Sequence, residues 1–252
     1  MNLNLGGSTV LLTCGASGIG RAVAAAFRAE GAHVSVLDRG PRPAGESTGV
    51  LWRQGDVTDE ATVARTVKQT VARFGGLDVA VGCAMASGPM GEPTTRIRPD
   101  EFSHPVAVNL TGHFLLAKHA ARAMYDSGGG SVVMVGSVSS VVSAPGTVPY
   151  CAANGGVLML TRALAVDLDA HGIRVNCVCP RTMDTPLSRM NLGLAKASSD
   201  SQRPAPLPQG VVRSILFFAS PASAGINGAA QILDFGGLAH PFPSMRAPTP
   251  LS

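Results

Sequence analysis

Charge and aromatic side chains are what this sequence has least of. Charged residues make up 14% and aromatics 4% of 252 residues, against 45% hydrophobic. A disordered chain needs the opposite balance, so disorder is excluded and one large α/β core is within reach. There is no lysine/arginine run and no aromatic stripe among basic residues. The net charge of +4 therefore reads as solvated surface and not as a nucleic-acid footprint. No run approaches the ~18 apolar residues of a membrane span, so none is expected. Met1–Gly7 has no charged region ahead of an apolar one, so no signal peptide is expected either. The cysteines are five, an odd number: Cys14, Cys83, Cys151, Cys177 and Cys179. In a long chain that fits reduced thiols in a cytoplasmic protein better than a disulfide framework. Cys177 and Cys179 share one face of an expected strand with no His/Cys partner motif nearby. They read as core, and no metal site is expected.

What is present is an alternation of short apolar runs and helix-forming stretches. Thr9–Thr13 has strand character and runs into Cys14-Gly15-Ala16-Ser17-Gly18-Ile19-Gly20, then a helical stretch ending at Gly31. Strand, glycine-rich turn and helix bring backbone N–H groups and a helix N-terminus to a pyrophosphate. The next strand, Ala32–Leu37, ends at Asp38, 18 residues past Gly20. An acid there binds ribose hydroxyls and repels a 2′-phosphate, which favours NAD over NADP; Arg39 blurs the preference. A helix is expected from about 60 to 74, a buried strand over 77–81, and a long helix over 100–125. In that last helix Asn109 is mildly unfavourable and Pro105 predicts a late start or a bend. His113, one turn past Asn109, reads as a partly exposed helix residue. Ser131–Ser137 is a strand ending in serine, 150–170 a helix, 173–178 a strand, 210–220 a helix and 230–233 a strand. Residues 187–209 are polar and proline-bearing and read as a substrate lid. Residues 240–252 read as an irregular, proline-rich tail. The pattern implies a doubly wound, Rossmann-like parallel sheet flanked by helices, one domain over 1–239.

The ordered set Gly18/Gly20, Asp38, Asp56, Asn109, Ser137, Tyr150 and Thr185 resembles the short-chain dehydrogenase/reductase family, over about residues 5–238. The resemblance implies a set of roles. Gly15, Ser17, Gly18, Ile19 and Gly20 cradle the cofactor phosphates. Asp38 takes the ribose, Asp56-Val57 lies beside adenine, Ala84 borders the cofactor, and Thr185 touches the nicotinamide carboxamide. Asn109 holds a water in a proton relay, Ser137 polarises the substrate oxygen, and Tyr150 is the acid/base. It also implies homodimers or homotetramers built on the helices about 100–125 and 150–170.

Four places depart from the family's pattern. Cys14 replaces the first glycine of the phosphate turn, where a positive φ would cost about 1–2 kcal/mol unless Gly15 takes over the turn. Gly82-Cys83-Ala84-Met85 replaces Asn-Asn-Ala-Gly, and Met85 is expected to crowd the pocket. Arg181 replaces a glycine. Asn154 stands four residues after Tyr150, where the family has the lysine that binds ribose and lowers the tyrosine's pKa. An amide supplies hydrogen bonds without charge. Three functions stay open at this level. One is an atypical NAD(H)-linked oxidoreductase of a ketone or secondary alcohol. Another is a non-redox enzyme using Ser137 and Tyr150, with Arg181 holding an anion in space vacated by nicotinamide. The last is a non-catalytic partner subunit.

Overall fold

The computed structural model describes residues 3–45, 49–125, 127–181 and 209–239. Within them the chain forms one seven-stranded, wholly parallel sheet. The strands are β1 Thr9–Thr13, β2 His33–Asp38, β3 Leu51–Gln54, β4 Val79–Gly82, β5 Gly130–Val135, β6 Ile173–Pro180 and β7 Ala230–Leu233. Their order is β3-β2-β1-β4-β5-β6-β7. The doubly wound sheet implied by the sequence is the fold. β3 has no counterpart in the sequence-based assignment: four residues, Trp52-Arg53-Gln54 among them, are too short and too polar to announce a strand, and only an edge position tolerates them.

Because a strand's side chains alternate, β1 feeds two cores. Val10 and Leu12 face Val23 and Phe27 of α1 (Gly18–Ala29) and Ile215 and Phe218 of α6 (Gln209–Ala219). Leu11 faces the opposite core, with Leu116, Ala120 and Met124 of α4 (Gly112–Tyr125) and Val157 of α5 (Val148–Leu168). Full burial of Phe27 contributes about 2–3 kcal/mol. The helix α2 (Glu60–Phe74) starts where Asp59 accepts the Ala61 N–H at 3.0 Å and stops at Gly75, φ +91°.

The bend expected at Pro105 takes a specific form. The long helix is divided into α3 (Pro99–Pro105), a single π-helical turn Val106–Thr111, and α4. The proline withholds one N–H, and the turn that follows widens to carry Asn109 inward. By length and composition alone, Val148–His171 is long and apolar enough to cross a membrane. In the fold its face Ala153, Val157, Thr161 and Leu168 is buried, against β6.

The sheet order reverses between β1 and β4. That switch point opens a crevice at the strands' carboxyl ends, where parallel α/β sheets bind ligands. Cys14, Asp38, Gly82–Met85 and Ser137 all lie at that edge.

Candidate active site

The glycine turn leaves β1 at Cys14, which takes φ +61°; Gly18 follows at +53°. Gly15 does not relieve Cys14. It has no left-handed φ, and its place is fixed instead by Val36, whose Cγ1 would meet a Cβ at 2.6 Å. Gly20 allows the closest approach: a Cβ there would fall 2.0 Å from the Cys14 carbonyl oxygen. Burial, with the Asp38 charge adding to it, pushes the Cys14 thiol up to about 11, so it stays protonated. Ser17 begins α1 without capping it by its side chain. The helix N-terminus is left to offer backbone amides, with half-buried Ile19 packed on the core beneath.

Asp38 ends β2 with its carboxylate nearly buried. Oδ2 accepts the Ala16 N–H at 2.8 Å and Oδ1 the Gly40 N–H at 2.7 Å. The acid thus fastens the glycine turn to β2, and each oxygen keeps a lone pair for a ribose hydroxyl. Asp56 accepts the Thr58 N–H and hydroxyl at 2.9 and 2.8 Å. Buried Val57 packs so closely on Gly112 that a Cβ there would lie 2.8 Å from its Cγ2.

The segment after β4 is held from both sides. Thr13 Oγ1 accepts the N–H groups of Cys83 and Ala84 at 3.0 and 3.1 Å. Asn109, fully buried, accepts the Ala86 N–H at 2.7 Å and donates to the Ala86 carbonyl at 2.8 Å. Those two bonds explain how an asparagine is tolerated inside a helix. They also engage both ends of its amide, so a water relay at residue 109 would have to use its main chain. His113 is not partly exposed. It is 2% exposed, and its Nε2 donates to the Gly82 carbonyl at 2.9 Å. A Cβ on residue 82 would meet His113 Cδ2 at 2.5 Å. The glycine that replaces asparagine at 82 is therefore matched to the histidine at 113.

Ser137 follows β5, nearly buried, and its Oγ accepts the Ser139 N–H at 3.1 Å. Tyr150 comes from the first turn of α5. Burial raises its hydroxyl above the ordinary value near 10; the polar side chains of Ser137 and Asn154 nearby oppose this, and Cys151 and Cys179 add to it. None of these is a cation. Asn154 is fully buried; its Nδ2 donates to the Tyr150 carbonyl at 2.9 Å and its Oδ1 has no partner. Met85 does crowd the pocket, in a particular way: its Sδ accepts the Tyr150 hydroxyl at 3.0 Å. Cys177 and Cys179 are wholly buried, their sulfurs 3.5 Å apart. Arg181 is exposed, its guanidinium 3.4 Å from the Asp234 carbonyl oxygen; the Asp234 carboxyl is lowered chiefly by the Leu238 N–H, with the Arg181 charge the smallest contribution. That contact gives no support to an anion-holding role beside Tyr150. Thr185, the expected lid at 187–209 except for Gln209, which opens α6, and the expected tail at 240–252 lie outside the described residues.

A sequence model described as enoyl-(acyl carrier protein) reductase matches residues 15–237. The chain belongs to the short-chain dehydrogenase/reductase family. It is 33% identical over 235 residues to the mitochondrial borneol dehydrogenase of Lavandula x intermedia, covering 92% of this chain and 91% of that one. To the cis-4-hydroxycyclohexanecarboxylate dehydrogenase of Sinomonas cyclohexanicum it is 36% identical over 238 residues, covering 90% and 94%. The crystal structure of levodione reductase superposes with a TM-score of 0.83 at 28% identity, covering 93% of this chain and 98% of that one. Members of the family use a nicotinamide cofactor. The site fits one on two observations of its own: the uncapped helix start behind a glycine turn that admits no Cβ at Gly20, and the orphaned Oδ1 of Asn154, an acceptor awaiting a hydroxyl donor.

Two contributors escaped the sequence-based reading. Thr13 had a signal, as the residue on which the glycine pattern aligns. His113 had a weak one, its place one turn past Asn109, which allows it to face the same cleft; its burial depends on a glycine 31 residues away.

Proposed function

We propose that this protein is an NAD(H)-linked reductase of ketones, with oxidation of the corresponding secondary alcohol slow at neutral pH. The observation that carries the reading is Tyr150: half-buried, beside Ser137, raised in pKa and, among the described residues, with no cation acting on it. A bound nicotinamide supplies the hydride. The chain's own part is acid chemistry. Ser137 orients the carbonyl oxygen, and Tyr150 gives up its proton as that oxygen gains negative charge. Reduction needs the neutral phenol, the form that burial favours. Oxidation needs the phenolate, which no cation among the described residues stabilises. Asn154 would hold a ribose hydroxyl through Oδ1, and Thr185 the carboxamide.

Asp38 supports NAD over NADP, because an acid at the end of β2 would accept ribose hydroxyls and repel a 2′-phosphate. The absence of disulfides among the described cysteines supports a cytoplasmic setting, and the apolar outer faces of α4 and α5 support homo-oligomers. The partners are then a small-molecule substrate and further copies of the chain. A non-redox enzyme is the second reading, since the same neutral tyrosine can protonate an oxygen without hydride transfer.

Calorimetric titration with NAD⁺, NADH, NADP⁺ and NADPH, followed by NADH-driven reduction of a ketone panel, tests the proposal. Binding of NAD(H) with reduction that Tyr150→Phe abolishes is the expected result. A folded protein that binds none of the four nucleotides would leave the non-redox reading in its place.

A further inference from the structure

Tyr150 has one hydroxyl proton, and it points at Met85. The Oη–Sδ distance is 3.0 Å. A phenol donates one such bond at a time. No carbonyl can therefore receive the Tyr150 hydrogen bond until the methionine lets it go.

The position of Met85 is fixed by its neighbours. On one side Cys83 and Ala84 are tied to Thr13 Oγ1; on the other Ala86 is tied twice to Asn109. Four hydrogen bonds across a span of four residues hold the backbone, so the methionine side chain leaves from a rigid base. The side chain itself is unbranched and adaptable, and its thioether is a weak acceptor. A carbonyl oxygen is a stronger one, so the exchange favours substrate once there is room for it.

We propose that Met85 is a specificity-determining residue. Its thioether occupies the acceptor place at the Tyr150 hydroxyl that a substrate carbonyl takes, and the volume through which it must swing aside decides which ketones reach the acid. A slender ketone displaces the sulfur. One with bulky groups flanking the carbonyl is held off. This rests on reading Tyr150 as the proton donor, and it deepens that reading by assigning the residue that guards it.

The test reads the hydroxyl directly and needs no turnover. The sequence has two tyrosines, and Tyr125 is exposed with its ring against His171. Tyr125→Phe keeps that ring contact and leaves Tyr150 as the sole ultraviolet resonance Raman tyrosine signal. In this background the band pattern should report a donating hydroxyl, and Met85→Leu, which keeps the bulk and removes the acceptor, should abolish it. Cyclohexanone should restore a donor pattern in Met85→Leu. A ketone with methyl groups on both flanking carbons, 2,2,6,6-tetramethylcyclohexanone, should do so only in Met85→Ala. In NADH-driven assays the same Met85→Ala change should raise kcat/KM for the hindered ketone at least tenfold relative to cyclohexanone. A Tyr150 spectrum unchanged by Met85→Leu would overturn the proposal, and so would equal access of both ketones with Met85 in place. If neither ketone is turned over but the Raman changes appear, the reductase reading fails and the assignment of Met85 stands.

Discussion

At position 154 the chain carries an amide where the family's pattern has an ammonium, and the consequence falls on Tyr150. Its phenol is raised above the ordinary value, burial being the largest cause. Below that pKa the neutral acid predominates, so ketone reduction should be flat between pH 6 and 9. Alcohol oxidation draws on the phenolate fraction and should rise about tenfold per pH unit across the same range, with no plateau below about 10. Initial rates in both directions over this range check both slopes; a bell or plateau near neutrality in oxidation would mean another group is the base. Asn154→Lys places a positive charge beside the phenol, which typically lowers such a pKa by about 1–3 units. Oxidation at pH 7.5 should then rise about tenfold or more, with reduction little changed. The loss of charge at 154 was legible in the sequence, because the spacing from Tyr150 names the position. The sulfur at Tyr150 was not: Met85 stands 65 residues from its partner, and nothing local says where its side chain points. Cys14 was legible in part. The left-handed φ was foreseen for that position, whereas help from Gly15 was not given, because Gly15 is there to spare Val36.

Elements were legible wherever periodicity was strong and local. β1, α2 and β7 lie where their apolar spacing and caps put them. The stretch over 99–125 was harder, since a π-turn arises from Pro105 and from the pull of Ala86 on Asn109, a tertiary contact. The joint between α4 and β4 shows the same limit and makes its own prediction. Burial pushes the His113 imidazole from about 6.5 down to about 4, its bond to the Gly82 carbonyl only partly opposing this. The unfolded chain therefore takes up a proton between those values that the folded chain refuses. The stability that neutral His113 confers is whole above pH 6.5 and falls as pH drops towards 4, by about 3 kcal/mol. Gly82→Asn, which restores the family's residue, drives a Cβ into that imidazole and should cost about 1–3 kcal/mol alone. His113→Ala should remove this part of the pH dependence and relieve Gly82→Asn. Urea unfolding at pH 7 and pH 5 of the four proteins in the cycle measures both effects. Additive costs would show that positions 82 and 113 are not matched.

Across the whole molecule, βα alternation sufficed to imply the parallel, doubly wound sheet, because parallel strands need crossover helices and the inner strands are buried on both faces. What alternation leaves open is the outside of the helices. α5 is apolar nearly all round, and a helix of that kind is buried on more than one side. One face lies under β6. On the other, Ala152, Met159, Ala163 and Val166 are exposed, at the three- and four-residue spacing of a single helical stripe, with half-buried Gly155 among them. Met159 is 59% and Val166 78% exposed. Small residues between two larger ones let a second helix approach closely, and a twofold axis lets the same stripe serve both copies. The second apolar face is therefore expected to meet the same helix of another copy. Sedimentation velocity should give a mass at least twice that of a single chain, and Met159→Glu combined with Val166→Glu should return it to one, since paired glutamates across such an axis repel in a face that excludes water. Nucleotide binding by the separated chain should persist, because the glycine turn and Asp38 lie on the opposite face of the sheet's far half. An unaltered mass in the double variant would move the contact to α4, where Phe114 and Tyr125 are the exposed apolar residues.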